Sequence, residues 1–150
     1  MKEIERKFIV SIDYLNYIET FKCIDIKQAY LSIEKEKTVR IRTKGEKAYL
    51  TIKIGEDSIS RDEFEYQIPV QDAISMMEIL KLKVLSKTRY EITYEEHLWE
   101  VDVFEGTLDG LIIAEIELKS EDEFFNRPHW LGYEVTDDPS FLNAKLIEKL

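Results

Sequence analysis

A chain of 150 residues has the length of one domain and is long enough to bury a real core. Its 44% hydrophobic content, with eight Tyr, seven Phe and two Trp, excludes wholesale disorder, and five Gly with three Pro exclude collagen-like and low-complexity classes. The net charge of −10, from 31 acids against 21 bases, argues against nucleic-acid binding through a broad basic surface but leaves a local basic cleft open.

In chain order, Lys2 to Val10 alternates charge with Ile4, Phe8 and Val10, a strand pattern whose charges also make it a poor secretory signal. Tyr14 to Cys23, with Leu15, Ile18 and Phe21, is read as helical. Cys23 is the lone cysteine, which fits a reducing cytoplasm and gives no nucleophile motif. Strands follow at Ile26–Ile33 and Thr38–Thr43, then a turn at Lys44-Gly45-Glu46-Lys47, then strands at Ala48–Ile54 and Glu63–Ile68. Gln71 to Leu82 carries the apolar stripe of a helix. Lys87–Tyr94, Leu98–Phe104 and Leu111–Leu118 complete about eight strands. Ser120 to Glu123 resembles a helix start with a capping box, and Ser140 to Leu150 reads as a closing helix. No apolar run reaches the roughly 18 residues of a spanning helix, and neither linker nor repeat divides the chain, so residues 1–150 are expected to form one domain. Many strands and few helices point to a mainly β (α+β) fold, an antiparallel sheet closed into a barrel so that exposed edges vanish.

Alternate residues of a strand share a face. One face groups Glu3, Glu5 and Lys7; the next strands give Arg40 with Arg42, Lys53 with Thr51, Glu63 with Glu65, Lys87 with Arg89, Asp102 with Glu100, and Glu115 with Glu117. A solvated face usually carries Thr, Ser, Gln and Lys. Paired charges of one sign are costly on adjacent in-phase sites unless opposite charge lies between them. A charge-lined interior satisfies both observations, with apolar residues facing outward under the helices. Six bases, Lys7, Arg40, Arg42, Lys53, Lys87 and Arg89, suit several phosphates, because guanidinium forks match phosphate oxygens. Carboxylates in the same space call for a hard divalent cation, Mg²⁺ or Mn²⁺, between acid and phosphate. His97 and His129 lack ligand spacing, Trp99 and Trp130 are read as packing residues, and Arg6 and Arg61 are assigned to structure or to a tunnel mouth.

Glu3-Ile4-Glu5-Arg6-Lys7 resembles the ExExK signature of the CYTH domain, the triphosphate tunnel metalloenzymes. The ordered remainder is similar to short bacterial members: Gln28-Ala29-Tyr30-Leu31, Val39-Arg40-Ile41-Arg42, Leu50-Thr51-Ile52-Lys53, Arg61 to Tyr66, Lys87-Thr88-Arg89-Tyr90, Glu100 to Phe104 and Ala114 to Leu118. The resemblance implies an eight-stranded antiparallel tunnel that binds a triphosphate with divalent metal. By motif it implies Glu3, Glu5, Glu115 and Glu117 as metal ligands, with Asp102 and Glu63 or Glu65 as further acidic members. Lys7, Arg40, Arg42, Lys53, Lys87 and Arg89 become the phosphate binders, Lys7, Arg42, Lys87 and Arg89 being closest to the chemistry, and Tyr30 a tunnel-facing tyrosine. The expected reaction is water attack on a terminal phosphorus of tripolyphosphate or a nucleoside triphosphate, without a Ser, Cys or His nucleophile. A CYTH-type adenylate cyclase, a thiamine triphosphatase and a non-catalytic polyphosphate-binding module remain alternatives, and a homodimer is the default assembly. No nucleic-acid or membrane partner is expected.

Overall fold

The computed structural model describes residues 2–56 and 59–150. Nine strands form one antiparallel sheet: β1 (Lys2–Val10), β2 (Lys22–Ile33), β3 (Lys37–Lys44), β4 (Lys47–Ile54), β5 (Ser60–Ile68), β6 (Leu85–Tyr94), β7 (His97–Phe104), β8 (Ile112–Glu117) and β9 (Leu131–Glu134). The order β5-β4-β3-β2-β6-β7-β8-β1 closes on itself through β1–β5, giving the expected eight-stranded barrel. β1 makes this closure by dividing itself. Lys2 to Ile4 pair with β5, Glu5 to Ile9 pair with β8, and Phe8 and Val10 also pair with β9, the strand that sequence periodicity missed.

Two α-helices are present among the described residues, α1 (Val70–Ile79) and the single turn α2 (Asn143–Leu146). α1 lies against β3 and β4 and seals Ile41 and Ala48 with its own buried Ala73. The expected helix over Tyr14–Cys23 is instead two 3₁₀ turns, Ile12–Tyr14 and Ile18–Thr20, followed directly by β2. Lys22 and Cys23 belong to β2 because they pair with Glu91 and Tyr90 of β6, a long-range bond set that local periodicity does not reveal. At Ser120–Glu123 there is one turn and no helix. The Glu123 carboxylate accepts from the Lys119 N–H at 2.6 Å and from His97 at 2.7 Å rather than closing a capping box. The closing segment is broken into short turns rather than one helix: 3₁₀ at Pro139–Phe141, then α2, then 3₁₀ at Ile147–Lys149.

Two apolar cores hold the barrel. The outer one gathers Phe8, Trp99, Val101, Phe125 and Trp130 on the outside of β1, β7 and β8. Trp99 meets Phe8, Phe125 and Trp130 edge-on at centroid distances of 5.6, 5.6 and 5.7 Å. The cover is mostly turns and loop, from residues 11–21 and 119–131, so the expectation that helices cover the apolar face holds only where α1 lies. Phe64 and Tyr66 of β5 stay 42% and 56% exposed. The second core is inside. Leu85, Phe104 and Ile113, in phase with Lys87, Asp102 and Glu115, pack against Leu146 and Ile147, so the C-terminal segment seals an apolar floor at one end of the barrel.

β9 approaches β1 so closely that a Cβ on Gly132 would lie 2.7 Å from the Ile9 carbonyl oxygen. Backbone cannot yield cheaply there. Gly132→Ala is therefore expected to destabilise by about 1–3 kcal/mol, read as a lowered denaturant midpoint with an unchanged slope.

Candidate active site

The inward side chains enclose a cavity of about 780 Å³. Its lining holds six lysines, four arginines and ten glutamates, so the space has no net sign. What it has is polarity. Following the strand order round the barrel, β7, β8, β1 and β5 contribute Glu100, Glu115, Glu117, Glu3, Glu5, Glu63 and Glu65. The other half, β4, β3, β2 and β6, contributes Lys53, Arg40, Arg42, Lys44, Tyr30 and Arg89. The tunnel is an acidic half-cylinder facing a basic one. Two bases cross the divide: Arg61 of β5, and Lys7, which lies 3.9 Å from Glu5 and 3.7 Å from Glu115 on the acidic side.

Register explains the grouping. Arg40 and Arg42 stand opposite Thr51 and Tyr49 of β4 and opposite Tyr30 and Gln28 of β2. Inward-facing residues of neighbouring strands are thus direct cross-strand partners. A bulge between Tyr30 and Ser32 ends this register just past Tyr30. Thr51 donates to Glu65 at 2.7 Å and accepts from Arg40 Nη2 at 3.2 Å, while Arg42 Nη2 lies 3.4 Å from Glu65. Glu65 therefore grips both arginines by the same terminal nitrogen. The Nε atoms of Arg40 and Arg42 are buried and have no partner in the protein. A buried unpaired donor is costly, and a guanidinium edge left open in this way fits an oxygen-rich anion.

The charges are not balanced locally. Burial and the adjacent Arg40 and Arg89 push the Arg42 guanidinium down to about 10, still charged near neutrality. On the acidic side, burial first and then Glu63 raise Glu3. Burial first and then Glu3, Glu100 and Glu5 raise Glu117. Burial raises Glu100 despite Arg89. Glu5 is also penalised by burial, but Lys53 and Lys7 outweigh that and lower it. Lys53 pairs with Glu3 at 2.7 Å and with Glu63 at 3.5 Å; burial opposes its charge, yet Glu5 and Glu3 raise it overall. A carboxylate raised above its unfolded value binds more protons in the native state, so its repulsion is relieved as pH falls. Without added metal, thermal stability is expected to rise as pH drops from neutral toward 5. Loss sets in only as pH falls below the ordinary carboxylate range, where the unfolded chain takes up protons that the lowered Asp102 and Glu65 of the native state resist. A pH series of calorimetric midpoints in chelator checks the sign.

Hard carboxylate oxygens in excess fit a divalent cation. Among the described residues, however, no three carboxylates are placed to hold a metal ion by themselves.

Of the residues expected from the sequence, Glu3, Glu5, Lys7, Tyr30, Arg40, Arg42, Lys53, Glu63, Glu65, Arg89, Glu115 and Glu117 line this one cavity. Lys87 and Asp102 do not. Their side chains are 0% and 1% exposed, Lys87 Nζ donating to Asp102 at 2.7 Å. Both are inward-facing, but they sit next to the apolar floor, where the cavity does not reach. Several contributions were missed, Lys44 of the basic half among them. Glu100 was noted for its phase with Asp102 but not assigned to the site. Arg61 lines the cavity. The C-terminal Leu142, Asn143 and Lys145 line the cavity from outside the barrel. Phase with Asp102 was the available signal for Glu100; nothing in the local sequence marks Lys145. His97, Trp99 and Trp130 take structural positions, and Arg6 is held by Glu134, its Nε donating at 2.7 Å.

An eight-stranded antiparallel tunnel with opposed acidic and basic walls defines a class built to hold a polyanion together with cations. The sequence profile of the CYTH domain matches residues 1–145, and the chain belongs to the CYTH domain family. It is 47% identical over 148 residues to an inorganic triphosphatase of Acetivibrio thermocellus, covering 98% of this chain and 94% of that one. An inorganic triphosphatase of Nitrosomonas europaea is 34% identical over 150 residues, covering 97% of each. A solved inorganic triphosphatase structure superposes with a TM-score of 0.68 at 31% identity, over 99% of this chain and 95% of that one. A putative adenylate cyclase of Bacillus halodurans, 22% identical with a TM-score of 0.61 over 80% of this chain and 83% of that one, shares the fold.

Proposed function

We propose that residues 1–150 act as one metal-dependent triphosphatase domain whose substrate is inorganic tripolyphosphate. The observation that carries the reading is the pair Arg40 and Arg42, whose buried Nε atoms have no partner in the protein, lining a cavity whose opposite wall is carboxylate. The names of the relatives at 47% and 34% identity support it. Arg40, Arg42, Lys53 and Arg89 would bind non-bridging oxygens and neutralise charge on the leaving phosphate. Tyr30 and Lys7 line the same cavity, Lys7 on its acidic wall. Glu3, Glu5, Glu115 and Glu117, with Glu63, Glu65 and Glu100 nearby, would hold Mg²⁺ or Mn²⁺. When bound, such an ion screens the polyphosphate and acidifies water for in-line attack. The carboxylates would orient a water and accept its proton, and the reaction would need no covalent intermediate on a side chain. No helix among the described residues is long and apolar enough to cross a membrane. The free Cys23 fits a reducing cytoplasm.

The test offers tripolyphosphate, ATP and thiamine triphosphate in turn, each with Mg²⁺ or Mn²⁺, and measures orthophosphate, pyrophosphate and cyclic AMP. Tripolyphosphate should be consumed fastest, yielding one orthophosphate per pyrophosphate. Cyclic AMP from ATP would instead make the chain a cyclase, and tight binding without turnover would make it a polyphosphate-binding module.

A further inference from the structure

Asp102 of β7 faces its register partner Arg89 of β6. Its Oδ1 accepts from Arg89 Nε at 2.7 Å, and its Oδ2 accepts from Arg89 Nη2 at 2.9 Å and from Lys87 Nζ at 2.7 Å. One carboxylate thus takes three charge-assisted donors, two of them the parallel pair of a guanidinium fork. The Lys87 ammonium also lies 5.6 Å from the centroid of the Phe104 ring, on the apolar floor. Neither Lys87 nor Asp102 lines the cavity, whereas Arg89 does, with Nη1 3.2 Å from Glu100. Arg89 is therefore oriented opposite to Arg40 and Arg42: its Nε edge is saturated from behind, and Nη1 is the nitrogen it turns toward the acidic wall. A metal at Asp102 would have to displace two buried cations from both oxygens.

We propose that Asp102 is a positioning residue that acts on the phosphate chain only through Arg89, with Lys87 as the second cation of the same buried unit. This rests on reading the cavity as a triphosphate site. Two cations on one carboxylate leave a net positive charge, and the only member of the unit that reaches the cavity is Arg89. The unit thereby delivers one fixed charge at one angle, which is what a phosphate oxygen in a transition state rewards.

The experiment compares wild type, Asp102→Asn, Arg89→Lys and the double variant in tripolyphosphate hydrolysis, with a Mn²⁺ titration of each. Lys87→Met/Asp102→Asn is added because it removes one of the two cations that Asp102→Asn leaves uncompensated in the interior. Asp102→Asn should lower kcat/KM about 30-fold, and the double variant should be no worse than Arg89→Lys alone, since the two act as one. The Mn²⁺ concentration for half-maximal rate should stay within about 2-fold of wild type. A rise of about 10-fold in that concentration, with losses that add to those of Arg89→Lys, would make Asp102 a metal ligand and overturn the proposal. Full activity in Asp102→Asn would overturn it too. Proton NMR of the Arg89 Nε–H supplies a readout that needs no substrate. Protection from exchange should be present in wild type and lost in both Asp102 variants; protection unchanged in them defeats the proposal even if tripolyphosphate is not the substrate. Absence of hydrolysis by wild type would defeat the triphosphatase reading alone.

Discussion

Arg42→Ala is expected to lower kcat/KM for tripolyphosphate by about 10³-fold while the circular dichroism spectrum and the thermal midpoint stay close to wild type. Activity should fall because Arg42 offers a buried guanidinium edge that nothing in the protein satisfies. Stability should not fall with it. The group's charge is already disfavoured by burial and by Arg40 and Arg89, and its one carboxylate contact, Glu65 at 3.4 Å, is shared with Arg40. Removing a cation that its neighbours repel relieves as much as it loses. Arg42→Lys keeps a charge but not the fork, so it should recover only part of the rate. Steady-state kinetics beside a melting curve decides the point. A variant that loses its fold together with its activity would show that Arg42 is an interior strut, and one with full activity at saturating Mg²⁺ would remove it from the site.

The separation between activity and stability at Arg42 follows from a feature that parity alone made legible. Successive side chains of a strand alternate faces whatever the sheet's final shape, so Arg40 with Arg42, Glu63 with Glu65 and Glu115 with Glu117 could be grouped before any pairing was known. The barrel then had to bring them together, because an interior of like-charged pairs is tolerable only when the opposite sign is across the cavity. Parity does not give depth. Lys87 and Asp102 share phase with Arg89 and Glu100 yet lie one step nearer the floor, where Leu85, Phe104 and Leu146 exclude the cavity. Depth depends on strand stagger and on where the C-terminal segment docks, and both are long-range. The same reason accounts for residues 14–23. Leu15 and Ile18 have helical spacing, but they are buried under the outer core by two short turns, and pairing with β6 claims the chain from Lys22 onward. Arg61 and Lys145 reach the site through closure and docking, and neither leaves a mark on its neighbours in sequence.

Glu117→Gln tests the acidic wall through two effects of opposite sign. Glu117 is half out in the open, yet burial, Glu3, Glu100 and Glu5 all hold its carboxyl above the ordinary value. In the metal-free protein it is therefore a source of repulsion, and its neutral amide should raise the thermal midpoint at pH 7 relative to wild type. The gain should fade as pH falls to the ordinary carboxylate range, because wild-type Glu117, held above that range, has by then taken up the proton that relieves it. Turnover should move the other way, falling by about 10²-fold or more, with a higher Mg²⁺ or Mn²⁺ concentration needed for half-maximal rate. The two measurements exclude each other's trivial explanations. A destabilised variant cannot show a raised midpoint, and a surface carboxylate unconnected with the site cannot change the metal requirement. If Glu117→Gln melts lower than wild type in chelator, or hydrolyses tripolyphosphate at the wild-type rate with the wild-type metal dependence, then the repulsion on this wall is not what a divalent cation is there to neutralise.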